Sequence, residues 1–466
     1  MFYPSIFNDV LAPVTQGPSS SNTVGPHRIG TIARSILDGR PEYLKIEMSR
    51  GGGFYDTFYS MDSDKAFLAG VLGKDLIKFD LGAVYEAAEE EGLKYEFVFS
   101  DRIAKQPTEM GELTLKSSKE TIVLTGITLG GGEILIRDIN GEPFQIKGIY
   151  PEEIVIKGSD KIRHLPSVYP MKTIKEAVPP FTRSEEMIDY CRRNEIPLWQ
   201  AALDYECSLT GISQKEIMKT AAETLDISYA SIEAGFKKGI EFEGVTVAKA
   251  PEIKEMMKKT TLIPMGAADM GALDALAVME YSNSHGKIVC MPTGGASGII
   301  PAAIRNTAET LGKTREDEIK ALLTAGLIGV FYFPTHYHGA LGCQAEVGVA
   351  TSMAAAALTS LISDDPVAVE RAAVLAMQYI IGQVCDPIEG YAQIPCFIRN
   401  IASVPLAMTC ANYAVLGLDT AVTLDGMADA VLRVGERLRE GRINDMGTCM
   451  SSYEANPCSS CGKCKI

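Results

Sequence analysis

Cysteine is the residue type that most constrains the chemistry of this sequence. The chain holds eleven, and nine of them lie beyond residue 289. In a reducing compartment such thiols bind metal, take part in catalysis or are simply buried, because structural disulfides do not persist there. Cys343 follows a glycine and precedes a small-residue helix, Cys385 sits in VCDP, and Cys396 ends IPC. All three fall at predicted element boundaries, where a rigid thiolate can be presented. They are 42 and 11 residues apart, far from the local C-x-x-C of zinc ribbons and ferredoxins, so spacing alone shows no shared site. The tail differs, since Cys458, Cys461 and Cys464 form a C-x-x-C-x-x-C run. That pattern suits metal or redox chemistry, with a flexible tail of reactive thiols as the alternative.

Four other stretches carry reactive or ligand-binding groups. GPSSSNTVGPHRIG (17–30) places Ser19, Ser20, Ser21, Asn22 and Thr23 at a helix entry, where hydroxyls and backbone N–H groups suit a carboxylate. A capped turn of ordinary composition is the plain alternative. MSRGGGFYDTFYSMDSD (48–64) has three successive glycines, which serve close backbone approach or a mobile loop. MPTGGASGIIP (291–301) is a Gly/Ser/Thr loop entering a helix and matches no phosphate-binding fingerprint. THYHGALGCQAEVG (335–348) sets His336 and His338 within eight residues of Cys343. That pair could ligate metal or move protons, or each could be a hydrogen-bonded structural residue.

The elements that must position these groups divide the chain in two. Residues 1–165 read as a small α+β unit, with helix-compatible runs at Thr31 to Leu37 and Asp64 to Leu72. Strand character follows at 121–130, 133–139 and 142–150, and Asn140-Gly141 is a strong hairpin signal. Residues 166–180 carry four prolines and read as a linker. Residues 181–450 show helical periodicity, at 213–238, 270–282, 302–311, 316–333, 344–362, 365–382, 401–416 and 424–440. Small residues dominate several of these runs, which predicts closely packed central helices in an all-α domain. Residues 451–466 form the cysteine-rich tail. The expected fold class is an α+β small domain followed by an all-α catalytic domain.

With 44 Lys+Arg against 59 Asp+Glu in 466 residues, the net charge is −15 and no basic block occurs. Such a chain is a poor partner for nucleic acid or an anionic membrane. No apolar run reaches the roughly 18–20 residues of a membrane span, and the start lacks the features of a secretory signal. The expected setting is cytoplasmic.

Taken together, the motifs resemble the iron–sulfur-dependent L-serine dehydratases. The small-domain motif of that family, a serine triplet followed by His-Thr-Val-Gly-Pro, appears as Ser19-Ser20-Ser21-Asn22-Thr23-Val24-Gly25-Pro26. The large-domain motifs appear as PTGGASGIIPA (292–302), GCQAEVG (342–348), VCDPIEGYAQIPC (384–396) and Arg399-Asn400, in order across most of the chain. The resemblance implies a 4Fe–4S cluster ligated by Cys343, Cys385 and Cys396, with a fourth iron open to substrate. That iron would act as a Lewis acid on the departing hydroxyl while a base removes the proton α to the carboxylate. It further implies an oxygen-sensitive homodimer turning a small carboxylate substrate, by default L-serine, into pyruvate and ammonia. Ser19, Ser20, Ser21, Asn22, Thr23, Gly25, Thr293, Gly294 and Arg399 are the expected substrate-binding residues.

The sequence departs from the pattern at both small-domain histidines. Asn22 stands in place of one, and Met61 stands in place of the other, in the segment Tyr59 to Asp64. The family's Pro-Thr-Asn-Gly becomes Pro292-Thr293-Gly294-Gly295. His336 and His338 are gained, so they are the expected catalytic groups together with Asp62. Elimination of sulfide from L-cysteine, dehydration of another hydroxy acid, and a non-catalytic iron–sulfur sensor are the alternatives. For the tail, Cys458, Cys461 or Cys464 could reach the open iron, the three could hold a second metal with Cys449, or the tail could be disordered.

Overall fold

The computed structural model describes residues 2–50, 52–55, 57–103, 109–333, 341–386, 388 and 391–440. They divide into two compact units: Ser19–Lys172, and Met1–Pro18 with Thr173–Ile466. The small unit thus begins at Ser19 rather than at residue 1. The first eighteen residues, with strand β1 (Val14–Gln16), belong to the helical unit.

In the sheet-bearing unit, helix α1 (Val24–Ile36) buries Ile29, Ile32, Ala33 and Ile36, the spacing of a single helical face. Pro26 in its first turn gives up only an N–H that has no partner within the helix. Strand β2 (Tyr43–Ser49), helix α2 (Ser63–Val71), helix α3 (Val84–Glu90) and strand β3 (Lys94–Ser100) follow. Then come β4 (Glu109–Lys116), β5 (Thr121–Gly130), β6 (Glu133–Ile139) and β7 (Glu142–Ile146). They make one sheet in the order β3-β2-β4-β5-β6-β7, parallel only between β2 and β3. The β6–β7 turn is the expected Asn140-Gly141, with φ of 52° and 78° at its two residues, the left-handed pair that a two-residue hairpin requires. The third predicted strand ends at Ile146, earlier than expected.

Helices α1 and α2 cross where each carries a glycine. A Cβ on Gly30 would lie 2.7 Å from the Phe67 carbonyl oxygen, and one on Gly70 would lie 2.2 Å from that of His27. A hairpin, β8 (Glu152–Val155) with β9 (Ile162–Leu165), completes the unit. The chain stays with it to Lys172 because Val168 N–H donates to the Gly148 carbonyl (2.9 Å) and the Tyr169 ring lies 4.0 Å from the Arg28 guanidinium.

The helical unit contains α4 (Ser184–Asn194), α5 (Leu198–Thr210), α6 (Gln214–Gly235), α7 (Ala250–Met257) and α8 (Ala267–Asn283). After strand β10 (Lys287–Val289) come α9 (Ile299–Leu311), α10 (Arg315–Phe331), α11 (Val347–Ser360), α12 (Pro366–Ile380), α13 (Cys396–Val415) and α14 (Leu424–Glu440). Among the described residues the unit is helical except for one ribbon, in which β1 pairs antiparallel with β10. Every residue from Val347 to Thr359 is buried. This alanine-rich α11 packs against α9, α10, α12 and α13, an arrangement its small side chains permit. Among the described residues no helix is long and apolar enough to cross a membrane.

The N-terminal segment is held by the buried carboxylate of Glu206 on α5. It accepts from Ser5 Oγ at 2.5 Å and from the Ile6 N–H at 2.8 Å. Tyr205 donates its hydroxyl to the Pro4 carbonyl at 3.0 Å.

Candidate active site

The three cysteines come from three separate places in the helical unit. Cys343 opens a short helical turn before α11, after Gly342 with φ of 84°, a conformation glycine adopts without strain. Cys385 lies in the loop after α12, and Cys396 is the first residue of α13. None of the three is in a disulfide; Cys343 is buried, and Cys385 and Cys396 are half-buried. Burial pushes the Cys343 thiol up to about 11 and holds the other two above the ordinary range. The charges of Glu346, Cys343 and Cys396 add to the shift at Cys385, and Cys343 also acts on Cys396. The segments that carry them meet, although 42 and 11 residues separate the thiols: the Gln344 N–H donates to the Gln383 carbonyl at 3.1 Å, and Arg399 on α13 reaches the Val384 carbonyl and Asp386.

The loops that carry them are tied together by amides. Gln344 Nε2 donates to the carbonyls of Leu341 (2.9 Å) and Val431 (3.0 Å), while its Oε1 accepts from the Gly382 N–H (2.8 Å). Gln393 Oε1 accepts from the Val245 and Thr246 N–H groups, and its Nε2 donates to the Glu243 carbonyl. Asn400, one turn after Cys396, donates Nδ2 to the Gly295 carbonyl at 2.8 Å and to that of Cys396 at 2.9 Å. The 292–302 loop is thereby fixed to the cysteine-bearing helix. Glu346 adjoins the same loop, since a Cβ on Gly295 would lie 3.1 Å from its Oε2.

Several buried polar atoms in this neighbourhood lack a hydrogen bond among the described residues, Gln383 Oε1 and the ion-paired Asp386 Oδ1 beside Cys385 included. Thr293 Oγ1 and Asn400 Oδ1 are buried without a hydrogen bond, a costly arrangement that a bound polar group would relieve. Gly294 is buried and its carbonyl accepts from Ser297 Oγ at 2.9 Å. Arg399, expected on the substrate, is directed elsewhere. It donates to the Val384 carbonyl at 3.1 Å and pairs with Asp386 Oδ1 at 2.8 Å, and its charge lies close to Cys343.

In the sheet-bearing unit, Asn22 is buried and hydrogen-bonded at both atoms of its amide. Its Oδ1 accepts from Thr57 Oγ1 and Ser63 Oγ, each at 3.0 Å, and Nδ2 donates to Ser19 Oγ at 3.3 Å. Ser19 and Ser21 hydroxyls lie 3.3 Å apart, and both residues are half-buried, whereas Ser20 is buried. Thr23 donates its hydroxyl to the Ser19 carbonyl at 2.7 Å. The N–H groups of Thr23, Val24 and Gly25 already donate to the carbonyls of Ser19 and Ser20, so this helix entry offers hydroxyls to an anion rather than those three amides. Gly25 has a packing reason to be glycine, since a Cβ there would lie 2.4 Å from Thr128 Cγ2.

Met61 is buried, and Asp62 beside it is ion-paired with Lys65 at 2.6 Å. Sequence reasoning passed over Asp64, whose buried Oδ1 has no partner while Oδ2 accepts from the Tyr85 hydroxyl. Burial raises its carboxyl above the usual range, against the lowering effect of that hydroxyl. Its signal was a third acidic-segment residue inside a helix otherwise buried. His336, His338, Cys449, Cys458, Cys461 and Cys464 lie outside the described residues.

The thiol region suits a polynuclear iron–sulfur group. Three thiols kept protonated by desolvation while unligated bind metal as thiolates, whose charge the metal offsets. Among the described residues no group of three or more His, Cys, Asp or Glu side chains is placed to hold a single ion. A cluster, whose ligands stand around a larger body, does not need that closeness.

Known proteins resemble the chain over this region. A family model described as serine dehydratase alpha chain matches residues 191–444. An L-serine dehydratase of Mycobacterium bovis is 35% identical over 268 residues, spanning 55% of this chain and 58% of that protein, so the match covers rather more than half of that relative. A probable L-serine dehydratase alpha chain of Bacillus subtilis is 30% identical over 266 residues, 55% of this chain and 87% of its own. L-serine dehydratase 2 of Escherichia coli is 26% identical over 457 residues, 90% of this chain and 92% of its own. The matched segment contains all three thiols and the amides that tie their loops together, and on that match the chain belongs to the serine dehydratase family.

Proposed function

We propose that the chain is an iron–sulfur-dependent lyase that removes water from a small hydroxy amino acid, by default L-serine. The observation that carries this reading is the meeting of the segments that bear Cys343, Cys385 and Cys396, one of them buried and two half-buried, through the Gln344 N–H on the Gln383 carbonyl and Arg399 on Val384 and Asp386. These three cysteines would hold a 4Fe–4S cluster, which when bound supplies a Lewis acid for the departing hydroxyl. The partnerless Thr293 Oγ1 and Asn400 Oδ1 would take hydrogen bonds from or to the substrate's polar groups. Ser19, Ser21 and their neighbours supply hydroxyls suited to a carboxylate.

A base takes the α proton while the β hydroxyl leaves, giving an enamine. The enamine tautomerises to an imine, and water hydrolyses it to pyruvate and ammonia. His336 and His338 are the proposed base, because Asp62 is already held by Lys65. A cytoplasmic, oxygen-sensitive homodimer completes the proposal.

The test is anaerobic reconstitution with iron and sulfide, followed by assay of pyruvate, ammonia and sulfide from L-serine, L-cysteine and other small β-hydroxy acids. Pyruvate and ammonia from L-serine are the expected result. Sulfide release from L-cysteine alone would reassign the leaving group. Full cluster content with no turnover across the panel would overturn the lyase reading in favour of a sensor. Unchanged turnover in both His336→Ala and His338→Ala would remove those residues as the base.

A further inference from the structure

We propose that Arg399 is a positioning residue that sets the three thiols in place, and not an anchor for the substrate carboxylate. The proposal rests on the reading of Cys343, Cys385 and Cys396 as cluster ligands. Its basis is the set of groups on which one guanidinium converges. Arg399 stands on α13 one turn beyond Cys396, so its backbone moves with that cysteine. Its Nη1 donates to the carbonyl of Val384, immediately before Cys385, at 3.1 Å. Its Nη2 pairs with Oδ1 of Asp386, immediately after Cys385, at 2.8 Å. Its positive charge also lies close to Cys343. One side chain therefore reaches the segments of all three thiols and brackets Cys385 from both sides.

The chemistry of the side chain explains why this needs arginine. A guanidinium presents five N–H donors in a fixed plane and cannot lose its charge, so it can serve a carbonyl and a carboxylate together while its charge faces a thiol. A lysine ammonium is a single point and cannot span the three. The arginine side chain is only 12% exposed and that of Asp386 only 6%, so the guanidinium is enclosed among these partners with little surface left for a substrate. The hydroxyl of Ser403 donates to the Arg399 carbonyl at 2.7 Å, tying this turn of α13 to the next. Residues that orient metal ligands from behind typically change metal affinity by about 10–100-fold when replaced.

The test compares wild type, Arg399→Lys, Arg399→Gln and the double variant Arg399→Gln/Asp386→Asn as full-length chains. The double variant leaves no unpaired carboxylate beside the thiols, so it separates loss of positioning from the cost of a stranded charge. Iron and sulfide per chain, the rate at which cluster absorbance appears on anaerobic reconstitution, and its loss to a chelator are measured. Circular dichroism of the metal-free proteins reports folding. The expected result is cluster uptake at least about 10-fold slower and release at least about 10-fold faster in Arg399→Gln and in the double variant. Arg399→Lys should fall between them and wild type, with the helical spectrum kept throughout. Wild-type loading and release in the double variant, with a raised KM and unchanged kcat, would overturn the proposal and return Arg399 to the substrate. Failure of wild type itself to take up iron and sulfide would instead defeat the cluster reading, and the proposal with it.

Discussion

Replacing Asn22 by alanine measures what the residue at a family histidine position does here. Its carboxamide joins three hydroxyls, and their other options differ. Thr57 Oγ1 keeps an acceptor in the Gly53 carbonyl at 3.2 Å, and Ser19 keeps Ser21. Ser63, which is wholly buried, donates its hydroxyl to Asn22 Oδ1 alone among the described residues. Stranding one buried hydroxyl costs about 1–3 kcal/mol, and the void left by the amide adds to it. Asn22→Ala should therefore destabilise the sheet-bearing unit by about 2–3 kcal/mol, a fall in its melting temperature of about 5–10 °C for a unit of this size. Asn22→Asp keeps two acceptor oxygens for the hydroxyls of Thr57 and Ser63, so its loss should be smaller than that of alanine. The assay is urea and thermal denaturation of the metal-free full chain, followed by far-UV circular dichroism, with the transition of each unit fitted separately because a chain of two units need not melt as one. A change within about 0.5 kcal/mol for Asn22→Ala, or a larger loss for aspartate than for alanine, would refute this hydrogen-bond accounting.

Other perturbations follow from the helical unit. Glu280 is buried on α8 and accepts from the N–H groups of Lys249 (2.7 Å) and Ala250 (2.9 Å) at the start of α7, and burial pushes its carboxyl up to about 7 from an ordinary 4.5. The folded state therefore holds this proton more tightly than the unfolded state. The resulting stabilisation is full below about pH 4.5 and is lost as pH rises toward 7, by about 3 kcal/mol. Urea midpoints of wild type and Glu280→Gln from pH 5 to 7.5 should diverge with the variant gaining on wild type, and parallel curves would sink the assignment. Glu206→Ala would leave the Ile6 N–H and the Ser5 hydroxyl buried without their carboxylate. The expected loss is about 2–5 kcal/mol, with faster proteolysis near residue 18, read by limited digestion and mass spectrometry. Normal stability and digestion in that variant would show that the β1–β10 ribbon holds the segment without Glu206.

Much of the local structure was legible in the amino-acid order. Apolar spacing marked α6, α8, α9, α10, α12 and α14 to within a few residues of their ends. The Asn140-Gly141 pair marked its hairpin because few other dipeptides adopt positive φ at both positions. These features depend on residues a few positions apart, so a linear reading reaches them. The helix α1 was placed several residues late because its first turn is built from Val24, Gly25 and Pro26, which carry no helical periodicity of their own. Strands β2, β3 and β4 escaped notice because their signal lies in pairing with one another across the sheet.

The site divides along the same line. Family motifs named the cysteines, while their intervals of 42 and 11 residues said nothing of proximity. Helix packing around α11 and α13 brings the cysteine-bearing segments together, and the reach of the Arg399 side chain to Val384 and Asp386 follows from that packing. The amino-acid order likewise assigned the first eighteen residues to the sheet, because they precede it. Glu206 and β10 assign them to the helices, through a buried carboxylate and a strand pairing that join positions about 200 and 270 residues apart. Residue types and short spacings determined which chemistry was available to this protein. Only the tertiary structure decided which groups meet, because a buried hydrogen bond is satisfied by whatever the fold brings within reach.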